Sequence, residues 1–438
     1  MTTGQPAKGY WAAIPERIQE LIAASFHNLP FAVPTNWPIG RSISTNGRWV
    51  PAPLGPGKRG FGEGSEGLVN LWCLLDENNV VGDRIIIKQI HVGATRYNDP
   101  SNWTDGTVGG EPRECAMANA VCGALPESHA EHVLECLGWG DCRGEPRWRY
   151  RLYFEYCNYG DLTTIVEAQR RDTVAPGSKR KADDDGDGDV LLPEPFIWYL
   201  LESLAKATVG LDKADILHGD MQMRNVFFGS PDPKRFGIYP TPKVADFGSS
   251  RRLADPGVRN RSDLVRRDAC CALFAPPELS KINDGMDWEV SEPGTTLSNK
   301  TNVWQIGMLI ACCMRLCTYL PEMNWRGMRR ADWEVAEKEQ LRFRTTSRGK
   351  HELERDKLVH ENSKYSEELV EIIFDCLKFN PVERPKAEEL LRRIQECMQG
   401  PVAGVLDYLP GKDRVDDDIQ RHKLRTISDG KYRIGKTF

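Results

Sequence analysis

The sequence lacks a long apolar run, which argues against a membrane-spanning helix. Its most apolar stretch, Val303 to Cys313, is soon followed by Arg315 and is shorter than the roughly 20 residues that a transmembrane helix needs. The first residues, MTTGQPAKGYW, also lack the apolar core of a signal peptide. We therefore expect an intracellular protein, cytoplasmic or nuclear, with no membrane partner.

An excess of positive charge and a cysteine framework are absent as well. The 63 Asp and Glu residues outnumber the 58 Lys and Arg residues, so nucleic acid is not expected as a partner. The 13 cysteines are odd in number and scattered, and they include the adjacent pairs 270–271 and 312–313. Disulfide frameworks and structural zinc sites need regular pairs, so neither is predicted. Scattered cysteines instead suit a reducing compartment.

The spacing of apolar residues changes along the chain and predicts two regions of different secondary structure. Between Gly60 and Tyr156, β-branched and aromatic runs alternate with turns at 68–75, 84–90 and 149–155, which is typical of strands. One helical stretch is expected there, at 112–125. Beyond Gly160 the apolar spacing is helical, as in 195–209, 369–377 and 387–397. We predict an α+β fold with a small β-rich lobe, residues 56–157, and a larger helical lobe, residues 158–400.

Three further segments are expected outside these lobes. Residues 1–55 are interpreted as an N-terminal extension that holds one helix and a proline-rich approach, and residues 401–438 as a C-terminal tail. The run GSKRKADDDGDGD carries blocked charge, so we predict a disordered insertion at about residues 172–192. A basic localisation signal or a docking segment is the alternative for this run.

A glycine-rich motif stands at the beginning of the β-rich lobe. Gly62, Gly64, Gly67 and Val69 form the pattern G-x-G-x-x-G-x-V. Glycine lets a backbone approach phosphate oxygens closely and offer its N–H groups. Glycine-rich loops are common, however, so this motif alone predicts little.

Five motifs in a fixed order make the pattern specific. After the glycine-rich motif come Ile85-Ile86-Ile87-Lys88, then Glu114 on the expected helix, then the run HGDMQMRN at 218–225. Asp246-Phe247-Gly248 and Ala275-Pro276-Pro277-Glu278 follow. In this order the chain resembles the eukaryotic protein kinases over roughly Gly60 to Cys397, which implies the bilobal protein-kinase-like fold.

The resemblance implies a catalytic role for five positions. Lys88 would hold the α- and β-phosphates of ATP and pair with Glu114. Asp220 would accept the proton of the substrate hydroxyl, and Asn225 and Asp246 would bind Mg²⁺. Phosphoryl transfer concentrates negative charge, so fixed donors, one lysine and carboxylate-held metal ions suit the chemistry.

Other positions are implied in nucleotide binding and in the structure of the helical lobe. The glycine-rich loop and Val69 would cover the nucleotide. Glu155 and Cys157 would form the hinge that binds adenine, and Asp161 would hold the ribose. Glu278 would form an ion pair with Arg384.

The sequence departs from the family pattern at the catalytic loop. Gly219 stands where the family usually has arginine, and Gln222 stands where it usually has lysine. Arg224, four residues after Asp220, could supply the missing charge and is predicted as a catalytic residue. Asn302 stands where an aspartate normally anchors the catalytic loop. The segment 268–274 resembles neither the serine/threonine nor the tyrosine kinase pattern.

Three functions remain open from the sequence. The first is an active protein kinase that uses ATP and Mg²⁺ to phosphorylate a protein, on serine or threonine in preference to tyrosine. The second is a pseudokinase scaffold that binds nucleotide or partners. The third is a small-molecule phosphotransferase, because His-Gly-Asp also occurs in kinases of aminoglycosides and choline. The oligomeric state is not predicted.

Overall fold

The computed structural model describes residues 48–52, 62–64, 67–91, 94–141, 149–171, 191–233, 238–255, 274, 276, 282–284, 287–289, 297–318, 365–378, 380–399, 424 and 432–438. The helix expected in the N-terminal extension, residues 172–190 of the predicted insertion and Glu278 lie outside these ranges, whereas residues 191–192 are described and Leu192 is buried. The residues described divide into two compact units. One draws on 1–119, 135–156 and 429–438, and the other on 120–134 and 157–428.

Strands and short hairpins occupy both units. The strands are β1 (Arg48–Pro51), β2 (Gly62–Gly64), β3 (Gly67–Leu75), β4 (Val81–His91), β5 (Cys136–Asp141), β6 (Arg149–Glu155), β7 (Ile216–Leu217), β8 (Val226–Gly229), β9 (Thr241–Val244), β10 (Arg251–Arg252), β11 (Ile282–Asp284) and β12 (Asp287–Glu289). The helices of three or more turns lie mainly in the second unit. The α-helices are α1 (Ala94–Tyr97), α2 (Arg113–Gly123), α3 (Glu127–Ala130), α4 (Leu162–Arg171), α5 (Glu194–Lys213), α6 (Lys300–Met314), α7 (Glu367–Cys376) and α8 (Ala387–Gln399).

The first unit is built on a six-stranded antiparallel sheet. Its strands follow the order β1-β3-β4-β6-β5, and β2 pairs with β3. Because side chains alternate along a strand, Ile85 and Ile87 of β4 face one apolar cluster while Ile86 packs against another. Lys88 falls on the same face as Ile86. The apolar run of β4 thus determines the face of the sheet on which the Lys88 side chain lies.

Strand β1 lies in the segment that the sequence suggested was an extension. It pairs with β3 from Arg48↔Leu75 to Pro51↔Trp72, and Trp49 is buried in the cluster with Ile85. Pro51 is compatible with this strand because β1 is at an edge, where one row of backbone N–H groups needs no partner. The irregular, proline-rich approach therefore contains a regular strand.

The second unit has a core of long buried helices. Nearly all side chains of α5 and α6 are buried, and α5 packs against both α6 and α8. Helix α6 approaches α7 closely at Gly307, where an added Cβ would lie 2.8 Å from the Cβ of Cys376. This close packing restricts the movement of helix α6.

The secondary structure agrees with the expectations from periodicity. The expected strands at 68–75, 84–90 and 149–155 appear as β3, β4 and β6, and the expected helices at 112–125, 195–209, 369–377 and 387–397 appear as α2, α5, α7 and α8. The prediction of an α+β fold with a β-rich and a helical part is confirmed. None of the helices in the described ranges is long and apolar enough to cross a membrane.

Candidate functional site

The glycine-rich motif forms a β-hairpin in the first unit. Gly62 pairs with Val69 and Gly64 with Gly67, so β2 and β3 are joined by the two residues between them. The absence of Cβ atoms at these three glycines leaves the hairpin backbone uncovered by their own side chains. Val69 is half-buried and lies opposite Lys88 across the β3–β4 pairing.

Lys88 and Glu114 form an ion pair in the same unit. The Nζ of Lys88 lies 2.9 Å from both carboxylate oxygens of Glu114. Strand β4 is paired on both sides here, with Val69 and Leu152 opposite Lys88. Only 13% of the lysine side chain and 6% of the glutamate side chain are exposed. The sheet and the start of α2 thus hold one ammonium group in a fixed position, poorly screened by water.

Glu155, Cys157 and Asp161 lie around the end of β6 and the start of α4. The Oε1 of Glu155 accepts a hydrogen bond of 2.8 Å from the backbone N–H of Glu135. Cys157 is buried. The Oδ1 of Asp161 accepts from both the N–H and the hydroxyl of Thr164, each at 2.8 Å, which caps the first turn of α4. Their predicted contacts with a nucleotide stay a prediction.

The carboxylate of Asp220 is held by two amide side chains in the second unit. The Nε2 of Gln222 donates to Oδ1 at 3.1 Å and to Oδ2 at 3.0 Å. The Nδ2 of Asn225 donates to Oδ2 at 3.0 Å and to the backbone carbonyl of Asp220 at 2.7 Å. Hydrogen bonds to a carboxylate are stronger than those between neutral groups, so these two amides fix its orientation.

Helix α6 anchors the loop that carries Asp220. The Oδ1 of Asn302 accepts from the backbone N–H of His218 at 3.0 Å, and its Nδ2 donates to the carbonyl of Ile216 at 2.9 Å. The Nε2 of Gln305 donates to the carbonyl of Gly219 at 3.3 Å. Gly219 has φ +80°, a conformation that glycine adopts without steric cost. Glycine at position 219 is therefore consistent with the backbone conformation of this loop.

His218 links this loop to the Asp246-Phe247-Gly248 segment. Its Nε2 lies 3.1 Å from the carbonyl of Ala245 and its ring centroid 5.0 Å from that of Phe247. Complete burial lowers the pKa of His218 to about 4 despite the opposing effect of Asp246. The ring is therefore neutral near pH 7, with its proton on Nε2.

Asn225 and Asp246 are brought together at the ends of the β8–β9 hairpin. Asn225 precedes β8, and Asp246 follows Ala245 after β9. The backbone N–H of Ala245 donates to the carbonyl of Asn225 at 2.8 Å. Asp246 has the left-handed values φ 62° and ψ 72°, a strained conformation for a residue with a side chain, which is found mostly at functional sites.

Comparisons with known proteins agree on the class of this chain. The sequence matches the protein kinase domain over residues 125–394. The chain belongs to the protein kinase family. The glycine-rich motif, Lys88 and Glu114 lie before residue 125 and outside this match, which covers β5 and β6 of the first unit and most of the second unit.

Three similar curated proteins are kinases by name, and two of the three are named as serine/threonine-protein kinases. The chain is 21% identical to the serine/threonine-protein kinase Nek9 of Xenopus laevis over 55% of its own length, and 22% identical to the G2-specific protein kinase nimA of Emericella nidulans over 55%. It is 26% identical to the serine/threonine-protein kinase ENV7 of Saccharomyces cerevisiae over 41%. The matched parts cover 19%, 29% and 41% of Nek9, nimA and ENV7 respectively.

The donor atoms of this kinase fit the magnesium ions that its family uses. The Nδ2 of Asn225 is engaged by Asp220, so its amide oxygen is the atom that would bind a metal ion, and Asp246 would supply a carboxylate. Magnesium is usually held by one or two protein carboxylates together with substrate phosphates. The described ranges contain no group of three or more His, Cys, Asp or Glu side chains that could hold a metal ion.

Two predictions about charged residues of this kinase, those for Arg224 and Arg384, stay predictions. Arg224 is exposed and lies next to Asn225, and its catalytic role stays a prediction. Arg384 is buried, with its guanidinium 4.8 Å from the centroid of the Trp304 ring and its Nε donating to the carbonyl of Lys378 at 2.7 Å. Its predicted partner Glu278 lies outside the described residues.

Gln222 and Gln305 are site residues that reasoning from the sequence missed. The sequence marks Gln222 only as the replacement of a family lysine. Its position two residues after Asp220 was the signal that its amide could contact the Asp220 carboxylate. Gln305 lies three residues after Asn302, a spacing that puts both side chains on one face of a helix. That spacing was the signal that could have identified it.

Proposed function

We propose that this kinase is an active enzyme that transfers the γ-phosphate of ATP to a serine or threonine hydroxyl of an intracellular protein. One observation carries the proposal. The carboxylate of Asp220 is oriented by Asn225, and the backbone of Asn225 is tied to Ala245, next to Asp246. The proposed base and the two proposed metal ligands therefore belong to one hydrogen-bonded assembly.

The residues of this assembly divide the chemistry between them. The substrate oxygen attacks the γ-phosphorus and the bond to the β–γ bridging oxygen breaks, so that ADP leaves. The substrate proton passes to a carboxylate oxygen of Asp220, which the hydrogen bonds from Gln222 and Asn225 point in a fixed direction. Asn225 and Asp246 would hold magnesium, which would neutralise charge on the phosphate oxygens when bound.

The ion pair of the first unit is suited to binding the phosphates of ATP. Glu114 holds the ammonium of Lys88 in place, so this cation can bind phosphate oxygens of ATP without a search through rotamers. The glycines of the hairpin, Gly62, Gly64 and Gly67, allow a phosphate to approach its backbone closely. These features support nucleotide binding by the first unit.

A nucleotide-binding pseudokinase is the second candidate, and one contact favours it. Gln222 donates to both carboxylate oxygens of Asp220, the atoms that a substrate hydroxyl must reach. Gln222 also brings no positive charge to a transferring phosphoryl group. If this contact persisted with substrate bound, transfer would be slow while ATP binding was preserved.

The experiment incubates the full chain with labelled ATP, Mg²⁺ and a panel of serine, threonine and tyrosine peptides, and measures ATP binding in parallel. We expect transfer to serine or threonine peptides. Asp220→Asn is expected to lower transfer by about 100-fold or more, because a general base contributes this much, with ATP affinity unchanged. ATP binding without transfer by the unaltered chain would establish the pseudokinase.

Asp215→Asn is the matched control for this substitution. Asp215 is partly buried and precedes β7 in the same loop. Its φ of 54° is a conformation that asparagine tolerates. The control is expected to keep wild-type transfer. Near-wild-type turnover in Asp220→Asn would show that the catalytic base has been assigned to the wrong residue.

A further inference from the structure

The segment Tyr432–Phe438 contains a turn and is bonded to the end of the first unit's sheet through an isolated antiparallel bridge. The backbone N–H of Val81 donates to the carbonyl of Lys436 at 2.9 Å, and the N–H of Gly435 donates back to the carbonyl of Val81 at 2.8 Å. The N–H of Phe438 donates to the carbonyl of Asn79 at 2.9 Å. Val80 and Thr437 form the bridge between the two segments.

This segment fills an edge that the regular strands leave open. Strand β6 pairs with β4 only from Ile85 to His91, so residues 81–84 extend beyond its end. Exposed rows of backbone donors and acceptors are templates for another strand. Gly435, with φ +79°, lets the segment turn where it meets Val81. The edge therefore accepts a peptide backbone that turns at this glycine.

The receiving turn is held in shape by its own side chains. The Oδ1 of Asp76 accepts from the N–H groups of Asn78 and Val80, each at 2.8 Å. Asn79 has φ 60° and also contacts the guanidinium of Arg48 through its side chain. Because these bonds are made within the turn, its backbone is organised independently of the segment that docks on it.

Tyr432 is the side chain that anchors the segment. It packs against the apolar cluster of Ala52, Leu71, Cys73, Leu75 and Val81, together with Tyr156. Its backbone carbonyl accepts a hydrogen bond of 3.0 Å from Arg84, whose guanidinium lies 4.9 Å from the centroid of the Tyr156 ring. Ile434, in contrast, is 53% exposed, so it contributes little to the contact.

We propose that this edge is a peptide-docking site, formed by residues 79–81, Arg84 and the cluster under Tyr432, and that Tyr432–Phe438 is its occupant in cis. Recognition combines main-chain hydrogen bonds with one aromatic side chain packed against an apolar cluster, a combination related to binding by strand addition. The ligand class is a peptide that turns at a glycine and carries a tyrosine three residues before it. The proposal does not depend on phosphotransfer activity.

The test compares three full-length proteins: the unaltered chain, Tyr432→Ala and Ile434→Ala. Hydrogen exchange of the amides of Val81, Gly435 and Phe438 reports the docked state. These amides are expected to be protected in the unaltered chain and in Ile434→Ala, and to exchange at least about tenfold faster in Tyr432→Ala, since buried aromatic anchors dominate such contacts. Equal protection in all three proteins would overturn the role of Tyr432.

A second measurement tests the site from the receiving side. The probe is a fluorescent peptide with the sequence of residues 429–438, DGKYRIGKTF. It is expected to bind Tyr432→Ala more tightly than the unaltered chain, in which the site is occupied. Arg84→Gln, introduced into Tyr432→Ala, should weaken this binding. Equal binding of the peptide to the unaltered chain and to Tyr432→Ala would overturn the proposal.

Discussion

Asn302 offers a sharp test of how the catalytic loop is held, because the family aspartate can be restored there. The side chain is completely buried and makes one bond as an acceptor, from His218 N–H, and one as a donor, to Ile216 C=O. The two backbone partners fix which amide atom is the oxygen. An ionised aspartate keeps the first bond and loses the second.

The structure gives the expected size of this loss. Leaving the buried carbonyl of Ile216 without a donor costs about 1–3 kcal/mol, and a carboxylate oxygen facing that carbonyl adds electrostatic repulsion. We expect Asn302→Asp to destabilise the second unit by about 2–4 kcal/mol at pH 8. A protonated aspartate can make both bonds, and protonating it costs about 1.4 kcal/mol per pH unit above its usual pKa near 3.9. The difference from wild type should therefore shrink to about 1.5 kcal/mol at pH 5.

Thermal and urea unfolding of both proteins at pH 5 and pH 8 would measure this difference. A loss of 2–4 kcal/mol corresponds to a fall in Tm of roughly 5–15 °C. Asn98→Asp is the matched control, because its amide also donates to a backbone carbonyl, that of Ala94 at 2.8 Å, but at an exposed site. That variant should change stability by less than about 0.5 kcal/mol. An unchanged or higher Tm for Asn302→Asp at pH 8 would refute the requirement for a donor at this position.

Two further predictions concern neighbouring side chains. Gln222→Ala should lower peptide phosphorylation by about tenfold with little change in ATP affinity, because Asp220 loses the side chain that donates to both its oxygens. A typical hydrogen bond to a charged group contributes about 1.5–3 kcal/mol. A smaller loss of activity in Gln222→Ala than in Arg224→Ala would give the principal role to the arginine. His218 has its folded pKa lowered from 6.5 to about 4, so its contribution to stability is present above pH 6.5 and lost as the pH falls toward 4. This loss amounts to about 3 kcal/mol, and His218→Gln should remove that part of the acid dependence in urea unfolding; an unchanged dependence would exclude His218 as its source.

The elements that could be predicted are those whose signal is local. The β-branched run Ile85-Ile86-Ile87 predicts a buried strand, and β4 contains it. The helical spacing of α5 and α8 is also a property of neighbouring residues. The order of the motifs then predicts the family, since each motif carries its own residue types at short spacing.

The features that were missed depend on partners far apart in the sequence. Strand β1 is regular because β3 pairs with it, and neither the proline content nor the spacing of residues 48–51 reveals that partner. The docking of Tyr432 near Arg84 joins residues that are 348 positions apart. The contact of Gln222 with Asp220 is short in sequence, but it needs the loop conformation, which Gly219 and helix α6 set.

The three departures from the family pattern act on one loop and can be understood together. An arginine at position 219 would have to adopt φ near +80°, which costs a residue with a side chain roughly 1–2 kcal/mol, whereas Gly219 adopts it freely. A loop without that strain needs fewer stabilising contacts. The neutral amides of Asn302 and Gln305 supply hydrogen bonds to its backbone. Gln222 adds a third neutral donor. Asp220 is the one acidic residue between Ile216 and Met223, and these amides fix its position for the proposed transfer of the substrate proton.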